Sequence, residues 1–150
     1  MIGWLKRGVW EGFVRSHTAV YRLTGGRIGH RVLGGAPVLL LDHVGRRSGR
    51  KRTNPLLYLE AGDDLVVVAS KGGSHRHPAW WLNLRDSPRT TVQVGSERRD
   101  VVARQASREE KARLWPRVVE MWPGYEAYQR RTSRDIPLIV LSPAEGAGAR

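Results

Sequence analysis

Six short runs with the composition of β-strands constrain the fold of this chain more than any other feature. They are residues 37–44, 54–60, 64–70, 89–95, 97–105 and 136–142. Glycine, proline, asparagine or aspartate bounds them, as is typical of β-strands. Gly95 and Ser96 separate the fourth run from the fifth and predict a tight hairpin turn. Six short strands at this spacing predict a closed or nearly closed β-barrel.

Helical segments are predicted between the strands. Residues 78–86 begin with a proline, which is favourable at a first helical position. Ser107 and Glu110 have the spacing of a capping box and predict a helix that continues to about residue 122. Pro116 lies inside this helix, and we expect it to kink or restart the helix because it lacks an amide hydrogen. The fold class is therefore α+β, mainly β, with flanking helices.

The first 33 residues predict an N-terminal amphipathic helix. Apolar side chains recur there at helical spacing among basic ones, at Ile2, Leu5, Val9 and Phe13. The pattern is typical of a helix on an anionic membrane surface, and equally of a terminal helix packed on its domain. We predict three parts: a helical segment 1–33, a barrel domain 34–143 and a disordered tail 144–150.

The 150 residues carry a formal net charge of +12 and contain no cysteine. Such a charge favours anionic partners, namely nucleic acid, acidic lipid headgroups or a phosphorylated or carboxylated small molecule. Disulfides and thiolate metal sites are excluded. His75 and His77 form a pair, but no further histidine has metal-ligand spacing, so no metal is predicted. No apolar run is long enough to cross a bilayer and no signal peptide is recognisable, so we expect a cytoplasmic protein.

Two stretches have the composition of anion sites. The first contains five cations and no acid in seven positions, Arg46, Arg47, Arg50, Lys51 and Arg52, and glycines bracket it between predicted strands. Exposed amides and arginines suit phosphate, although a solvated loop or a nucleic-acid patch fits equally. The second places Lys71, Gly72 and Gly73 between a strand and a helix. This order is typical of an anion cradle and also of an ordinary connection.

Trp122, Tyr125 and Tyr128 lie three residues apart, which predicts one helical face. Such a stripe is more often part of a core than a ligand wall. The tyrosine hydroxyls nevertheless favour a partly open pocket, because a buried hydroxyl requires a hydrogen-bond partner.

Three segments occur in a specific order, GRRSGRKRTNPLLYL, VVVASKGGSHRHPAWWLNLRDSP and WPRVVEMWPGYEAYQRRTSRDIPLIVLSP. Together they resemble the deazaflavin-dependent nitroreductase family, which includes F420H2-dependent quinone reductases, over about residues 37–143. The resemblance implies a split β-barrel of about six strands that uses coenzyme F420. It also implies hydride transfer from reduced F420 to a quinone, a nitroaromatic or a similar electron-poor acceptor.

The resemblance implies roles for individual residues. F420 carries a phosphodiester and a polyglutamate tail, which makes it a long polyanion. The implied cofactor-binding residues are Arg46, Arg47, Arg52, Asn54, Pro55, Lys71, Gly72, Gly73, Trp80 and Asn83. The implied catalytic residues, which would donate a hydrogen bond or proton to the reduced acceptor, are Ser70, Tyr125 and Tyr128. Leu57 and Trp122 line the implied substrate side, where family members that reduce quinones and bulky nitroimidazoles carry tyrosines. We expect coenzyme binding to survive these two changes better than nitro reduction.

Other functions fit parts of the sequence. An FMN-dependent split-barrel oxidoreductase shares the fold, but a short phosphate tail does not require so long a cationic tract. A basic nucleic-acid-binding module is favoured by the charge and by six tryptophans, but no nucleic-acid motif is present. We therefore expect a small-molecule substrate and no nucleic acid. By analogy we expect a homodimer, and we expect the N-terminal helix to contact the inner face of the plasma membrane.

Overall fold

The computed structural model describes residues 2–26 and 35–144, with side chains from residue 12 onwards. The strands are β1 (Val38–Val44), β2 (Lys51–Leu57), β3 (Leu59–Ala61), β4 (Asp64–Val68), β5 (Arg89–Val94), β6 (Glu97–Gln105) and β7 (Leu138–Pro143). The helices are α1 (Ile2–Leu23), α2 (Ala79–Asp86), α3 (Arg108–Met121) and α4 (Gly124–Arg130). The strands form one antiparallel sheet in the order β2-β1-β5-β6-β7-β4-β3, which curls into a half-barrel.

This architecture confirms the predicted split-barrel class, with one strand more than predicted in the described ranges. The run 54–60 is broken at Tyr58, whose ring is buried and whose amide donates to the Pro37 carbonyl (3.2 Å). β2 ends at Leu57, and from Leu59 the chain pairs with β4 instead of β1. β2 also begins earlier than predicted, because it pairs with β1 from Lys51 opposite Val44 onwards. The last cations of the basic tract are thus strand residues rather than loop residues.

Local sequence signals predict some element boundaries correctly and others wrongly. The capping box of α3 is present, and Gly95, with a positive φ of 61°, forms the predicted hairpin turn. Pro78 precedes α2 as its N-cap instead of opening it. α3 continues through Pro116 as one helix, so the proline does not restart it, and the predicted kink stays a prediction. β4 ends two residues early, and β7 begins at Leu138 instead of residue 136.

The N-terminal helix is present but ends at Leu23. Residues 27–34, where the break before the barrel was predicted, lie outside the described residues, as does the predicted tail beyond Ala144. The division into three parts therefore stays a prediction. None of the described helices combines the length and the apolar character needed to cross a bilayer.

Two of the three apolar clusters in the described residues pack α2, α3 and α4 against the sheet, and the third, with Tyr21, packs α1. The larger fills the inner face of the half-barrel and receives Trp80, Trp81 and Leu84 from α2. The second lies under α3 and α4 and includes Val118 and Tyr125, which pack against β4 and β7. A fully buried large apolar side chain contributes about 1.5–3 kcal/mol. The two clusters therefore fix α2 and α4 near the ends of β2 and β4, where the cavities described below open.

Asp42 in β1 anchors α1 to the sheet. Its buried carboxylate accepts from Arg22 of α1 (2.9 Å), Arg98 of β6 (3.1 Å) and the Thr53 hydroxyl (2.6 Å), and it pairs with Lys51 (3.4 Å). Burial acts to raise the pKa of Asp42, but the Thr53 hydrogen bond and the charges of Lys51 and Arg22 outweigh it and lower that pKa. Lys51 is consequently paired within the fold.

Candidate active site

A cleft of about 720 Å³ opens between the β1–β2 connection, the end of β4 and the start of α2. This volume lies within the range of small-molecule sites, about 300–1,000 Å³. The lining residues are His43, Gly45, Arg46, Arg47, Ser48, Arg52, Asn54, Pro55, Leu56, Leu57, Val68, Ser70, Lys71, Pro78, Ala79, Trp80, Asn83 and Tyr125. The cleft thus has a polar, cationic mouth and an apolar inner wall.

The charge of the cleft is of one sign. Its four cations are Arg46, Arg47, Arg52 and Lys71, and no aspartate or glutamate is among the described lining residues. Within the described ranges, no carboxylate lies within 4.0 Å of these four. Arg50 is exposed and does not line the cleft. Like charges gathered without acids favour an anionic ligand, which would relieve their repulsion.

The loop between β1 and β2 is closed by its own backbone. The Gly45 amide donates to the Arg50 carbonyl (2.8 Å), and the Gly49 amide donates to the Gly45 carbonyl (2.8 Å). Gly49 has a positive φ of 69°, which glycine adopts at little cost. The amides of Arg47 and Ser48 donate to no group in the part of the chain described. They are therefore available to an anion in the cleft.

A chain of hydrogen bonds ties this loop to α2 and β2. Asn83 Oδ1 accepts from the backbone amide and from Nη1 of Arg46, both at 3.1 Å. Since that oxygen faces two donors, Asn83 Nδ2 must donate to His43 Nδ1, 3.0 Å away. His43 Nε2 then carries the proton and donates to Asn54 Oδ1 (2.7 Å). Only one tautomer of His43 and one orientation of Asn83 satisfy the whole chain.

The neutral form of His43 is also the electrostatically favoured form. Burial lowers the pKa of His43, and the nearby charge of Arg52 lowers it further, whereas the Asn54 hydrogen bond acts in the opposite direction. A neutral imidazole can accept from Asn83, which an imidazolium cannot. His43 was not predicted as a site residue, because its position in a strand gives no sequence signal for this role.

Asn83→Leu removes the acceptor that holds Arg46. We expect binding of F420 to weaken about tenfold, the equivalent of one hydrogen bond to a charged group. Gln93→Leu is the matched control, because Gln93 is an equally buried amide that donates to the Gly95 carbonyl and does not line the cleft. Calorimetric titration of both variants with F420 measures the difference. Equal affinities for the two variants would contradict a positioning role for Asn83.

The second anion stretch forms a strained turn at the cleft floor. β4 ends at Val68, and a single 3₁₀ turn, Lys71–Gly73, follows the buried Ser70. Lys71, Gly72 and Gly73 have positive φ values of 45°, 63° and 82°. A lysine in this region is unusual, and such strain is typical of functional sites.

Gly73 was predicted to contact the cofactor, but the structure places it outside both cavities. Its amide donates to the Ser70 carbonyl (3.0 Å). A Cβ at this position would lie 2.6 Å from the Tyr128 carbonyl oxygen. Gly73 therefore allows the turn to pack against α4, and its amide is not available to a ligand.

A second cavity, of about 560 Å³, adjoins the cleft on the side of α4. Its lining residues are Leu57, Ser70, Lys71, Gly72, Trp122, Tyr125 and Tyr128. Leu57, Ser70, Lys71 and Tyr125 line both cavities. This second cavity is called the acceptor cavity below. A ligand in the cleft and a ligand in the acceptor cavity would therefore meet at these four residues.

Contrary to the prediction, Trp122, Tyr125 and Tyr128 do not lie along one helix. Trp122 is the C-cap of α3, whereas Tyr125 and Tyr128 lie in α4, so the three do not share one helix. The indole of Trp122 lies over Gly124, where a Cβ would come within 2.8 Å of Nε1. Pro123, which lacks an amide hydrogen, follows Trp122 where α3 ends. All three aromatic side chains nevertheless line the acceptor cavity.

Tyr125 is a neutral hydrogen-bond donor in this cavity. Burial raises the pKa of Tyr125, and the adjacent Tyr128 raises it further. The two rings meet edge to face, with centroids 6.0 Å apart. Within the described ranges the Tyr125 hydroxyl makes no hydrogen bond, so it is free to donate to a ligand.

The structure thus brings the predicted site residues, except Gly73, to two adjoining cavities. Sequence reasoning missed seven residues that line the cleft: His43, Gly45, Ser48, Leu56, Val68, Pro78 and Ala79. Ser48 could have been found, because it lies inside the basic tract. The others are ordinary strand or loop residues in sequence. No group of three or more potential metal ligands occurs in the described part of the chain.

The half-barrel sheet and the cationic cleft, with no acid among its described lining residues, define a split-barrel protein with a site for an anionic cofactor. The family model for F420H(2)-dependent quinone reductase matches residues 13–143. An F420H(2)-dependent quinone reductase of Mycobacterium tuberculosis (strain ATCC 25618 / H37Rv) is 44% identical over 142 residues, 93% of this chain and 95% of that protein. The chain belongs to the F420H(2)-dependent quinone reductase family.

Similar solved structures support the same family. An F420-H2 dependent reductase is 37% identical, with a TM-score of 0.65, over 71% of this chain and 94% of that one. A protein described as a domain-swapped dimer is 31% identical, with a TM-score of 0.68, over 93% and 97% of the two chains. These comparisons confirm the predicted family and the predicted cofactor, F420. They also confirm that the protein is an oxidoreductase.

Proposed function

We propose that this chain binds reduced F420 in the cleft and reduces a quinone, or a similar conjugated acceptor, held in the acceptor cavity. The observation that carries the proposal is the position of the two cavities. One is cationic and free of described acids, the other is aromatic, and they share Leu57, Ser70, Lys71 and Tyr125. When bound, reduced F420 supplies the hydride, so the protein must supply binding, orientation and electrostatics.

The lining of the cleft fits F420. Arg46, Arg47 and Arg52 would hold the phosphodiester and the acidic tail, since guanidinium groups contact such oxygens in pairs. The amides of Arg47 and Ser48, which have no acceptor among the described residues, add donors at the same end. Lys71 would lie along the coenzyme. Gly72, also predicted as a cofactor contact, lines the acceptor cavity and not the cleft.

The inner wall of the cleft fits the apolar part of a ring system, through Pro55 and Trp80. Asn54 and Asn83 are bonded to His43 within the fold, so they would act on the coenzyme mainly by fixing the shape of the cleft. FMN has a single phosphate and no polyglutamate, which leaves several of these cations without a partner.

The residues of the acceptor cavity orient the acceptor and stabilise its reduced form. Leu57 and Trp122 give the cavity apolar surface, against which the ring of an acceptor would pack. Ser70, Tyr125 and Tyr128 carry hydroxyls, which would donate to the oxygen that becomes negative as the acceptor is reduced. Because Leu57 and Trp122 add no phenol hydroxyl, we expect quinones to be reduced better than nitroaromatic compounds.

Tyr125→Phe tests the assigned donor. We expect the rate constant for acceptor reduction to fall about 100-fold, as when one donor to a developing anion is lost. F420 affinity should be unchanged, because the basic tract is intact. Tyr128→Phe is the matched control with a smaller expected loss, because Tyr128 lines the acceptor cavity but not the cleft. Stopped-flow oxidation of prebound reduced F420 measures both rates, and a wild-type rate in Tyr125→Phe would remove Tyr125 from the mechanism.

The proposed function is tested by anaerobic mixing of the protein, reduced F420 and a panel of quinones, nitroaromatics and enones. We expect the oxidised deazaflavin absorbance to return quickly with quinones and slowly with nitro compounds. Reduced FMN replaces F420 in a parallel series and should support little turnover. Failure of every acceptor, with F420 bound, would instead indicate a coenzyme carrier.

We also propose a homodimer, which the likeness to a domain-swapped dimer over 93% of the chain supports. Light scattering should then give about twice the chain mass of 16.9 kDa. A mass equal to one chain would contradict the proposal.

We further propose that the protein is cytoplasmic and that its helix α1 contacts the inner face of the plasma membrane. Phe13, Val20 and Leu23 are exposed, by 59%, 40% and 87%, and Arg15 is an exposed cation on the same helix. An apolar face beside cations is typical of helices that lie in anionic lipid interfaces. The protein should co-sediment with phosphatidylglycerol vesicles, and Phe13→Glu should release it. Equal sedimentation of the two proteins would contradict the contact.

A further inference from the structure

Arg134 is a half-buried cation without a carboxylate partner in the described part of the chain. Its Nε donates to the Ser74 carbonyl (2.8 Å), and its Nη2 donates to the Ser70 carbonyl (2.7 Å). Its Nη1 donates to the Ala69 carbonyl (3.2 Å) and lies 3.1 Å from Nδ1 of His77. All four acceptors belong to the connection between β4 and α2, which forms the floor of both cavities.

Arg134 is itself fixed to α4. The side-chain amide of Gln129 in α4 donates to the Arg134 carbonyl (2.8 Å) and accepts from the Ile136 amide (3.0 Å). Arg134 therefore connects the Ser70 side of the acceptor cavity to the helix that carries the two tyrosines. The turn that it holds includes Lys71, whose positive φ persists only where surrounding contacts determine it.

We propose that Arg134 is a positioning residue that sets the separation between Ser70 and Tyr125 across the acceptor cavity. The inference rests on the proposed function, since it names what maintains the reaction geometry. Arg134 itself lines neither cavity and acts only through the backbone that it holds. A planar fork with five donors can satisfy several carbonyls at once, which a lysine cannot do.

His77 adds a condition to this arrangement. Arginine has no acceptor, so His77 Nδ1 must be unprotonated to accept from Nη1. Burial lowers the pKa of His77, and the charges of Arg134, from the α4–β7 connection, and of Arg85, from α2, lower it further. Acidification through that pKa places a second cation against Arg134 and removes one of its four acceptors. Hydride transfer should then slow at low pH even with F420 saturating.

The experiment compares Arg134→Gln and Arg134→Lys with wild type by stopped-flow, using prebound reduced F420 and menadione as the acceptor. We expect the rate constant to fall about 100-fold in Arg134→Gln, as for a misplacement of about 1 Å, with little rescue by Arg134→Lys. F420 affinity should stay at the wild-type level. Arg117→Gln is the matched control, because Arg117 also donates to a backbone carbonyl, that of Glu60, away from both cavities.

Two readouts separate positioning from a general loss of stability. NMR titration of the protein without coenzyme should show the pKa of His77 rising in Arg134→Gln and unchanged in Arg117→Gln. His77→Asn keeps an acceptor near the Nδ1 position that does not titrate, so its rate should lose the decline at low pH. This variant and Arg134→Lys decide the matter if Arg134→Gln does not fold.

Wild-type rates in both Arg134 variants, or a decline at low pH that persists in His77→Asn, would overturn the inference while leaving the proposed function intact. Absence of menadione reduction by the wild-type protein would instead overturn the proposed function, and this inference with it. A fall in thermal stability equal to that of Arg117→Gln, with no separate change in rate, would also reduce Arg134 to an ordinary structural residue.

Discussion

Arg47→Glu is expected to weaken F420 binding about 100-fold, equivalent to about 3 kcal/mol. Arg47 lines the cleft, has no described carboxylate partner and would contact the anionic end of the coenzyme. The substitution removes that contact and places a negative charge beside the same oxygens. Calorimetric titration at moderate ionic strength measures the affinity directly.

Arg50→Glu is the control for this prediction. Arg50 belongs to the same loop, but it is exposed and does not line the cleft. Its substitution by glutamate changes the net charge of the protein by the same amount as Arg47→Glu. Only long-range attraction is lost, and salt at about 0.15 M screens charges beyond about 8 Å. We therefore expect Arg50→Glu to bind F420 nearly as well as wild type. Equal losses in the two variants would show that overall charge, rather than the cleft, determines affinity.

Gly73→Ala is expected to lower the free energy of unfolding by about 3 kcal/mol, the sum of left-handed strain and overpacking. The new Cβ would lie 2.6 Å from the Tyr128 carbonyl, a backbone atom that can move only if α4 moves. Acceptor reduction should therefore slow as well, because α4 carries Tyr125. Urea denaturation measures the stability, and stopped-flow kinetics measures the rate.

Gly72→Ala separates strain from the clash. Gly72 has a similar positive φ of 63°, but no atom lies within 4 Å of a Cβ built there. Only the strain term applies, so we expect a loss of about 1 kcal/mol. If the two alanine variants were equally stable, packing of the turn against α4 would not be a determinant of the fold.

The parts of the fold that depend on local chemistry could be predicted from the sequence. Ser107 and Glu110 form the expected capping box, and Gly95 forms the expected turn, because each signal acts within a few residues. The break at Tyr58 could not be predicted, since it lies where the chain ends its pairing with β1 and begins to pair with β4. The continuity of α3 through Pro116 likewise was not apparent from local preference.

The candidate site divides in the same way. Its cations were recognisable as a cluster, but the cluster alone did not show that Arg46 and Arg47 face the cleft while Lys51 pairs with Asp42. The orientation of Lys51 follows from strand register, which depends on the partner strand. Arg46 is held in the loop by Asn83 of α2, which is distant in sequence. His43 and Arg134 could not be predicted, because their partners are 40 and 64 residues away in sequence.

The most direct test of the central claim is a pair of calorimetric titrations, with F420 and with FMN, at low and at moderate salt. We expect F420 to bind tightly with an affinity that falls as salt is raised, because guanidinium and ammonium groups hold its acidic tail. We expect FMN to bind far more weakly. No heat with F420, or tighter binding of FMN, would contradict the assignment of the cleft.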